Sequence, residues 1–371
     1  MKRRNFLRNT ALGGATATAI AACQPKESPT QDSPAIQTKE HIHWRMATSW
    51  SKASDISFGA ADLICRRVQE MTNGHFVITP YAADELAPSL KVLDVVQTAE
   101  VECGHTNSIY YIDKNPALAF GSSVPFGLNP QQQNSWLLYG GGLTALQKIY
   151  TEFNVMNFPA GNTGAQMGGW FKQEINSVAD LKGLKMRIPG WGGRVMKELG
   201  VEVKVMATMD ILTALASGEI DAAEWICPYE DEKLGFNQVA QYYYYPGWWE
   251  TGPTLNLYVN KTAWDKLSKE YQAILETAAL EANFLVITQY NAVNGKALKR
   301  LEQGGTQFRQ YSDEILLEAQ KIAFDLYAAE AAKNASFQEM FMGWQKFRSQ
   351  IQHWHRFNEV SFGDFAFSYQ G

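Results

Sequence analysis

The sequence predicts an α/β protein of two lobes, and three observations carry that prediction. The chain's 371 residues exceed what one small hydrophobic core organises, 46% of them are apolar, and strand and helix periodicities alternate from about residue 43 onward. The opening is a βαβ pattern. HWRMATSW (His43 to Trp50) and HFVITPY (His75 to Tyr81) read as strands on either side of an amphipathic helix, Ser54 to Met71, with Asn73-Gly74 as the turn into the second strand. Ser89 to Thr98 continues as a helix, and Gly104 to Tyr111 returns to extended chain.

Phe153 to Phe158 reads as a strand that leaves the first lobe, and Gln166 to Phe171 enters a second. NSVADLKGLKMRI (Asn176 to Ile188) is a short helical turn delivering a strand that ends on Arg187, and Asp180 to Gly200 and Thr208 to Ala216 supply helix patterns. TLNLYVN, from Thr254, alternates as a strand and leads into a barely interrupted helical pattern from Thr262 to about Gln303. Ser312 to about Gln350 is again helical and ends in an aromatic tail: Trp354, Phe357, Phe362, Phe365, Phe367 and Tyr369. So apolar a tail needs a cover. There is no internal repeat.

The N-terminus carries an export address. KRRNFLR pairs Arg3 and Arg4 ahead of a mildly apolar segment, Ala11 to Ala22, laid out as a twin-arginine signal and too short to span a bilayer. It ends Ile20-Ala21-Ala22-Cys23, resembling a lipobox at which the cysteine is acylated; the plainer alternative is an ordinary signal-peptidase site near Ala22. Gln24 to Glu40 is rich in Pro, Ser and Gln without apolar period, as expected of a flexible tether. Removing the leader's four basic residues takes the formal charge from −5 to −9, a poor surface for nucleic acid. Cys65, Cys103 and Cys227 are widely and irregularly spaced, so no disulfide framework follows. His353 and His355 fall on different helix faces, against a zinc site.

Candidate binding residues concentrate between Gln166 and Glu250. Arg187 presents a planar guanidinium that takes a carboxylate with two parallel hydrogen bonds, although a structural ion pair is the commoner use of an arginine. Glu224 closes GEIDAAEW before Trp225, and Glu250 closes PGWWE. Isolated glutamates are usually solvated, but a carboxylate lodged beside a tryptophan loses hydration and needs a cation or hydrogen bonds in return. Of Tyr242 to Tyr245, Trp248 and Trp249, part is expected to be core and the rest to wall a pocket. A secreted glycoside hydrolase with Glu224 and Glu250 as acid and base is the rival reading; an arginine beside the pair counts against it by holding both acids ionised.

These segments, with GNTGAQMGGWF (Gly161 to Phe171) and PYEDEKLGF (Pro228 to Phe236), resemble in order the solute-binding subunit of tripartite ATP-independent periplasmic (TRAP) transporters, the 2-oxo acid-binding branch, from about Trp44 to about Phe365. The resemblance implies a two-lobed binding fold with hinge strands and a long helix spanning both lobes, and no enzymatic activity. It implies a signal over residues 1–22, a tether over 23–40, lobe I from 41–162 and 253–285, lobe II from 163–252 and 286–320, and a C-terminal helical dimerisation region over 321–371. It implies that Arg187, with Gln166, Trp225 and Tyr110, binds a small 2-oxo monocarboxylate such as pyruvate. Glu224, Glu250, the Trp225 carbonyl and Gln166 would surround a cation; such all-oxygen sets suit Na⁺ or Ca²⁺. Tyr110 and Tyr111 are the weaker assignments, because Asn107, Ser108 and Ile109 depart from the family run. A 2-hydroxy acid or dicarboxylate on the same fold is the alternative ligand. Implied partners are a membrane permease and a second copy of the chain; the implied location is the periplasm, with lipid on Cys23.

Overall fold

The computed structural model describes residues 41–368. The export signal, the Cys23 lipobox, the tether and Tyr369 lie outside the described residues. Among the described residues, eleven strands form two sheets. β1 (Ile42–Thr48), β2 (Phe76–Tyr81), β3 (Cys103–Thr106), β4 (Val155–Asn162) and, later in the chain, Thr254–Asn260 make a five-stranded sheet. β5 (Trp170–Phe171), β6 (Lys185–Arg187), β7 (Glu202–Lys204), β8 (Ala222–Ala223), β9 (Tyr242–Tyr245) and the last strand, Gln307–Gln310, make a six-stranded one. The Thr254–Asn260 strand is β10 and Gln307–Gln310 is β11.

The first sheet has the order β2-β1-β3-β10-β4, with β1 parallel to β2 and β3 and with β10 antiparallel to β3 and β4. The second has the order β11-β9-β5-β8-β6-β7. All seven residues of β10 are buried, as a strand covered on both faces must be. The segments leaving β4 and leaving β9 carry the chain between the sheets, and they run alongside one another: Thr163 N–H donates to Pro253 O at 3.1 Å, Gln166 N–H to Glu250 O at 3.2 Å, and Gly247 N–H to Gln166 O at 3.1 Å. A Cβ on Gly247 would stand 2.4 Å from that Gln166 oxygen, so only glycine allows the approach.

The helix Lys269–Gln303 touches both halves. Its Tyr271, Leu275, Ala278 and Ala282 pack with Trp44, Phe76 and Phe158 of the first sheet's core, whereas Val286, Tyr290 and Leu301 pack with Trp170, Trp225 and Tyr243 of the second's. The helical pattern from Thr262 is broken, however, into Lys261–Lys266 and Lys269–Gln303, because Ser268 accepts from Tyr271 N–H and caps a new helix. Gly104 to Tyr111 is extended only to Thr106; Asn107 then accepts from Ile109 N–H and starts a 3₁₀ turn, Ser108–Tyr111. Between Asp180 and Gly200 the helix is confined to Gly190–Glu198, since Lys185–Arg187 is taken into the sheet. At the C-terminus, helices Asp313–Ala331 and Ala335–His355 pack through Tyr327, Phe337, Phe341 and Trp344 around Phe120. The continuation to Ser368 buries no residue.

His105, on β3, is fully buried; its Nδ1 accepts from the Trp50 indole at 2.7 Å and its Nε2 donates to Ala160 O at 3.0 Å. Burial lowers its pKa from the ordinary 6.5 to about 4. A base depressed in the folded state costs nothing above its unfolded pKa; as pH falls from 6.5 to about 4 the unfolded chain takes a proton that the folded one refuses. Urea unfolding should show up to about 3 kcal/mol lost across that window from this group. His105→Gln should be less stable at pH 7 and show a flatter decline; an unchanged slope would remove His105 as the cause.

Candidate functional site

The parallel pairing of β6 with β8 sets Arg187 opposite Ala223, and Glu224 N–H donates back to Arg187 O at 3.0 Å. Guanidinium and carboxylate therefore leave adjacent strand ends side by side. Arg187 Nη1 donates to Glu224 Oε2 at 2.7 Å and to Glu224 O at 3.0 Å, and both side chains are almost fully buried. The other edge of the fork is uncommitted: the buried Nε has no partner. The guanidinium carbon stands 5.4 Å from the Trp225 ring centre, which limits its freedom to turn.

Glu250 arrives on the segment after β9 and Gln166 on the segment after β4, joined by the backbone bonds that tie the two crossings. Gln166 Nε2 donates to Thr163 Oγ1 at 3.3 Å, and its buried Oε1 has no partner. One small cavity is lined by Gln166, Arg187, Glu224, Trp225, Glu250 and Tyr110, so all six residues singled out in the sequence meet there.

Sequence reasoning missed Trp50, Asn107, Ile109, Thr163, Pro189, Ile226 and Leu255, which complete the lining. Thr163 lay in a quoted motif; Trp50 follows β1 and Leu255 lies near the start of β10, strands whose place in the sheet only the fold reveals. The aromatic tract corrects the sequence reading, because none of Tyr242 to Tyr245, Trp248 and Trp249 lines the cavity. β9 is an inner strand between β5 and β11, so Tyr243 stacks on Trp170 and Tyr244 meets Tyr311, while Trp248 stacks on Phe126. Tyr111 also turns away; its hydroxyl bonds Thr106 Oγ1 at 2.8 Å and accepts from Leu93 N–H.

Burial pushes both carboxyls upward, which corrects the expectation that the arginine holds both acids ionised: desolvation outweighs the guanidinium charge. For Glu224 the Arg187 charge opposes the rise and Asp231 adds to it; for Glu250 the neighbouring Glu224 adds to it, while Arg187 and Gln166 oppose. Burial disfavours two ionised carboxyls beside one guanidinium, so holding both ionised calls for a further cation. The side-chain oxygens present, the Glu224 and Glu250 carboxyls and the unpartnered Gln166 Oε1, are of the kind that fits a hard ion. Among the described residues no cluster of three His, Cys, Asp or Glu exists, so a zinc-type set is not offered.

The family described as DctP, bacterial extracellular solute-binding protein family 7, matches residues 46–334. The chain is 56% identical over 370 residues, the full length of both, to a monocarboxylate 2-oxoacid-binding periplasmic protein of Nostoc sp.. A TRAP transporter solute-binding protein from Bordetella bronchiseptica RB50 superposes with a TM-score of 0.88 at 43% identity, over 89% of this chain and 98% of that one; it is a dimer with calcium and picolinate in one site and the other site apo. A TRAP solute-binding protein from Colwellia psychrerythraea holds calcium and pyruvate (TM-score 0.85, 34% identity, 88% and 99% covered). One from Pseudoalteromonas atlantica T6c holds sodium and pyruvate (TM-score 0.85, 33% identity, 88% and 99% covered).

The charge imbalance predicts a cation-dependent melting temperature. In a buffer of bulky organic cations, adding Na⁺ or Ca²⁺ to about 100 times its dissociation constant should stabilise the protein by about 2.7 kcal/mol. Glu250→Gln should lose most of that gain and, freed of a desolvated charge, be no less stable in the ion-poor buffer. Equal shifts in wild type and variant would remove Glu250 from the ion site.

Proposed function

The chain belongs to the bacterial extracellular solute-binding protein family 7, and from that premise we propose that it is the receptor for a small 2-oxo monocarboxylate, with pyruvate as the type ligand. It is the solute-binding subunit of a TRAP transporter and not an enzyme. The observation that carries the ligand class is the small cavity lined by two glutamates, one arginine with its Nε edge unpartnered, and Gln166 whose Oε1 has no donor. A carboxylate takes the free edge of Arg187 with two parallel bonds. Glu224, Glu250, the Trp225 carbonyl and Gln166 hold a cation, which supplies positive charge to the ligand's second carboxylate oxygen and its keto oxygen. The likeness to the 2-oxoacid-binding relative over the whole chain supports the same reading.

The ion proposed is Na⁺, with Ca²⁺ as the alternative; relatives with pyruvate hold one or the other. Residues 41–162 with 253–285 act as one lobe and 163–252 with 286–320 as the other, closing on ligand and ion together before docking on a membrane permease. The protein works in the periplasm, tethered through lipid on Cys23. Mass spectrometry of natively purified, then denatured protein tests ligand and tether at once. It should release a 2-oxo monocarboxylate and report an acylated N-terminal Cys23, and Cys23→Ser should move to the soluble fraction. A dicarboxylate in the site, or a mature chain cut elsewhere without lipid, would overturn the respective claim.

The protein is further proposed to be a dimer held by its C-terminal region. Phe357, Phe362, Phe365 and Phe367 are each about two thirds exposed or more, on a helical segment that buries nothing of its own. Light scattering at micromolar concentration should give twice the chain mass, and truncation after residue 355 should give a monomer. A monomeric intact chain would contradict the proposal.

A further inference from the structure

We propose that Trp50, held in place by His105, sets the length of the ligand that the cavity accepts. The inference rests on the 2-oxo acid reading and adds a residue pair to it. With the carboxylate on Arg187 and the keto group beside Glu224 and Glu250, the alkyl end of a ligand meets what remains of the lining. Among the lining residues without charge or amide, the indoles of Trp50 and Trp225 are the largest, and Trp50 stands with the aliphatic Ile109, Ile226 and Leu255. It is 1% exposed and shares one buried apolar cluster with Trp225, Ile226 and Leu255. It comes from the chain just after β1 of the five-stranded sheet, whereas Trp225 and Ile226 follow β8 of the six-stranded one, so the indole closes the cavity from the opposite half.

Two tryptophans line the cavity, and they are held differently. The Trp225 Nε1 is buried without a partner, but Trp50 Nε1 donates to His105 Nδ1 at 2.7 Å. The second imidazole nitrogen donates to Ala160 O at 3.0 Å, which fixes the tautomer with its lone pair toward the indole. The backbone is pinned as well: Ser49 N–H donates to His105 O at 3.1 Å, and Ala83 N–H to Trp50 O at 2.8 Å. A side chain fixed at both ends cannot step aside for a longer ligand. His105 does not line the cavity, so it is a positioning residue that acts through Trp50.

Calorimetry with pyruvate, 2-oxobutanoate and 2-oxopentanoate tests the pair, because the ratio of dissociation constants between ligands cancels a general loss of stability. The wild type should prefer pyruvate. Trp50→Phe, or Trp50→Tyr where the first variant does not fold, should shift the ratio toward 2-oxopentanoate by about tenfold or more, the worth of a methylene in an apolar pocket. His105→Gln should shift it in the same direction, and adding His105→Gln to Trp50→Phe should change the ratio no further, since the bond is already gone. A ratio within about twofold of wild type in the Trp50 variants overturns the specificity role. Equal effects of His105→Gln with and without the indole overturn the positioning role. A wild type that binds none of the three acids overturns the 2-oxo acid reading, and this inference with it, whereas a wild type that binds pyruvate isolates the failure to Trp50 and His105.

Discussion

Two carboxylates buried beside a single guanidinium set the terms for everything around them. Glu224 and Glu250 are each less than a tenth exposed, and Arg187 supplies the positive charge beside them. A monocarboxylate brought into that cavity raises the negative count to three against one, and a dry site with two uncompensated charges costs several kcal/mol. One bound Na⁺ halves the deficit and one Ca²⁺ removes it, so ligand and ion are coupled by electrostatics before any shape is considered. The guanidinium cannot serve both glutamates and a ligand through one edge. Spending Nη1 on Glu224 leaves Nε for the ligand, which gives each edge one task.

The fold delivers these groups from separate stretches of chain. Arg187 and Glu224 are brought together by parallel strands β6 and β8, and Glu250 and Gln166 by the two crossing segments whose backbones bond to each other. Gly247 is what lets those crossings approach. Behind Glu224, Asp231 accepts from Tyr243, Trp170 and the Ile226 and Cys227 N–H groups, which ties the turn after β8 to the stacked aromatics of β9. The tyrosine tract thus stiffens the wall from outside the cavity instead of lining it.

Much of this was legible in the sequence, because its signals are local. A glutamate pressed against tryptophan in GEIDAAEW and again in PGWWE is a poor surface acid, and a strand ending on arginine before Pro189-Gly190 places a charge at a strand end. What was not legible depends on sheet order and long separations. Whether Tyr243 faces a cavity or a neighbouring strand is decided by β5 and β11 on either side of β9, which no period in the sequence reports. Trp50 and His105 meet across 55 residues, each with an unremarkable local pattern. The apolar period from Thr262 runs straight through Ser268, and only the structure shows that this residue caps a new helix there.

The central claim is that ligand and cation bind as one charge-balanced unit, and pyruvate calorimetry against ion concentration tests it most directly. After chelation and dialysis into a buffer of bulky organic cations, pyruvate affinity should fall steeply and return on addition of Na⁺ or Ca²⁺. Unchanged affinity in that buffer, with no metal found by elemental analysis, would contradict the account.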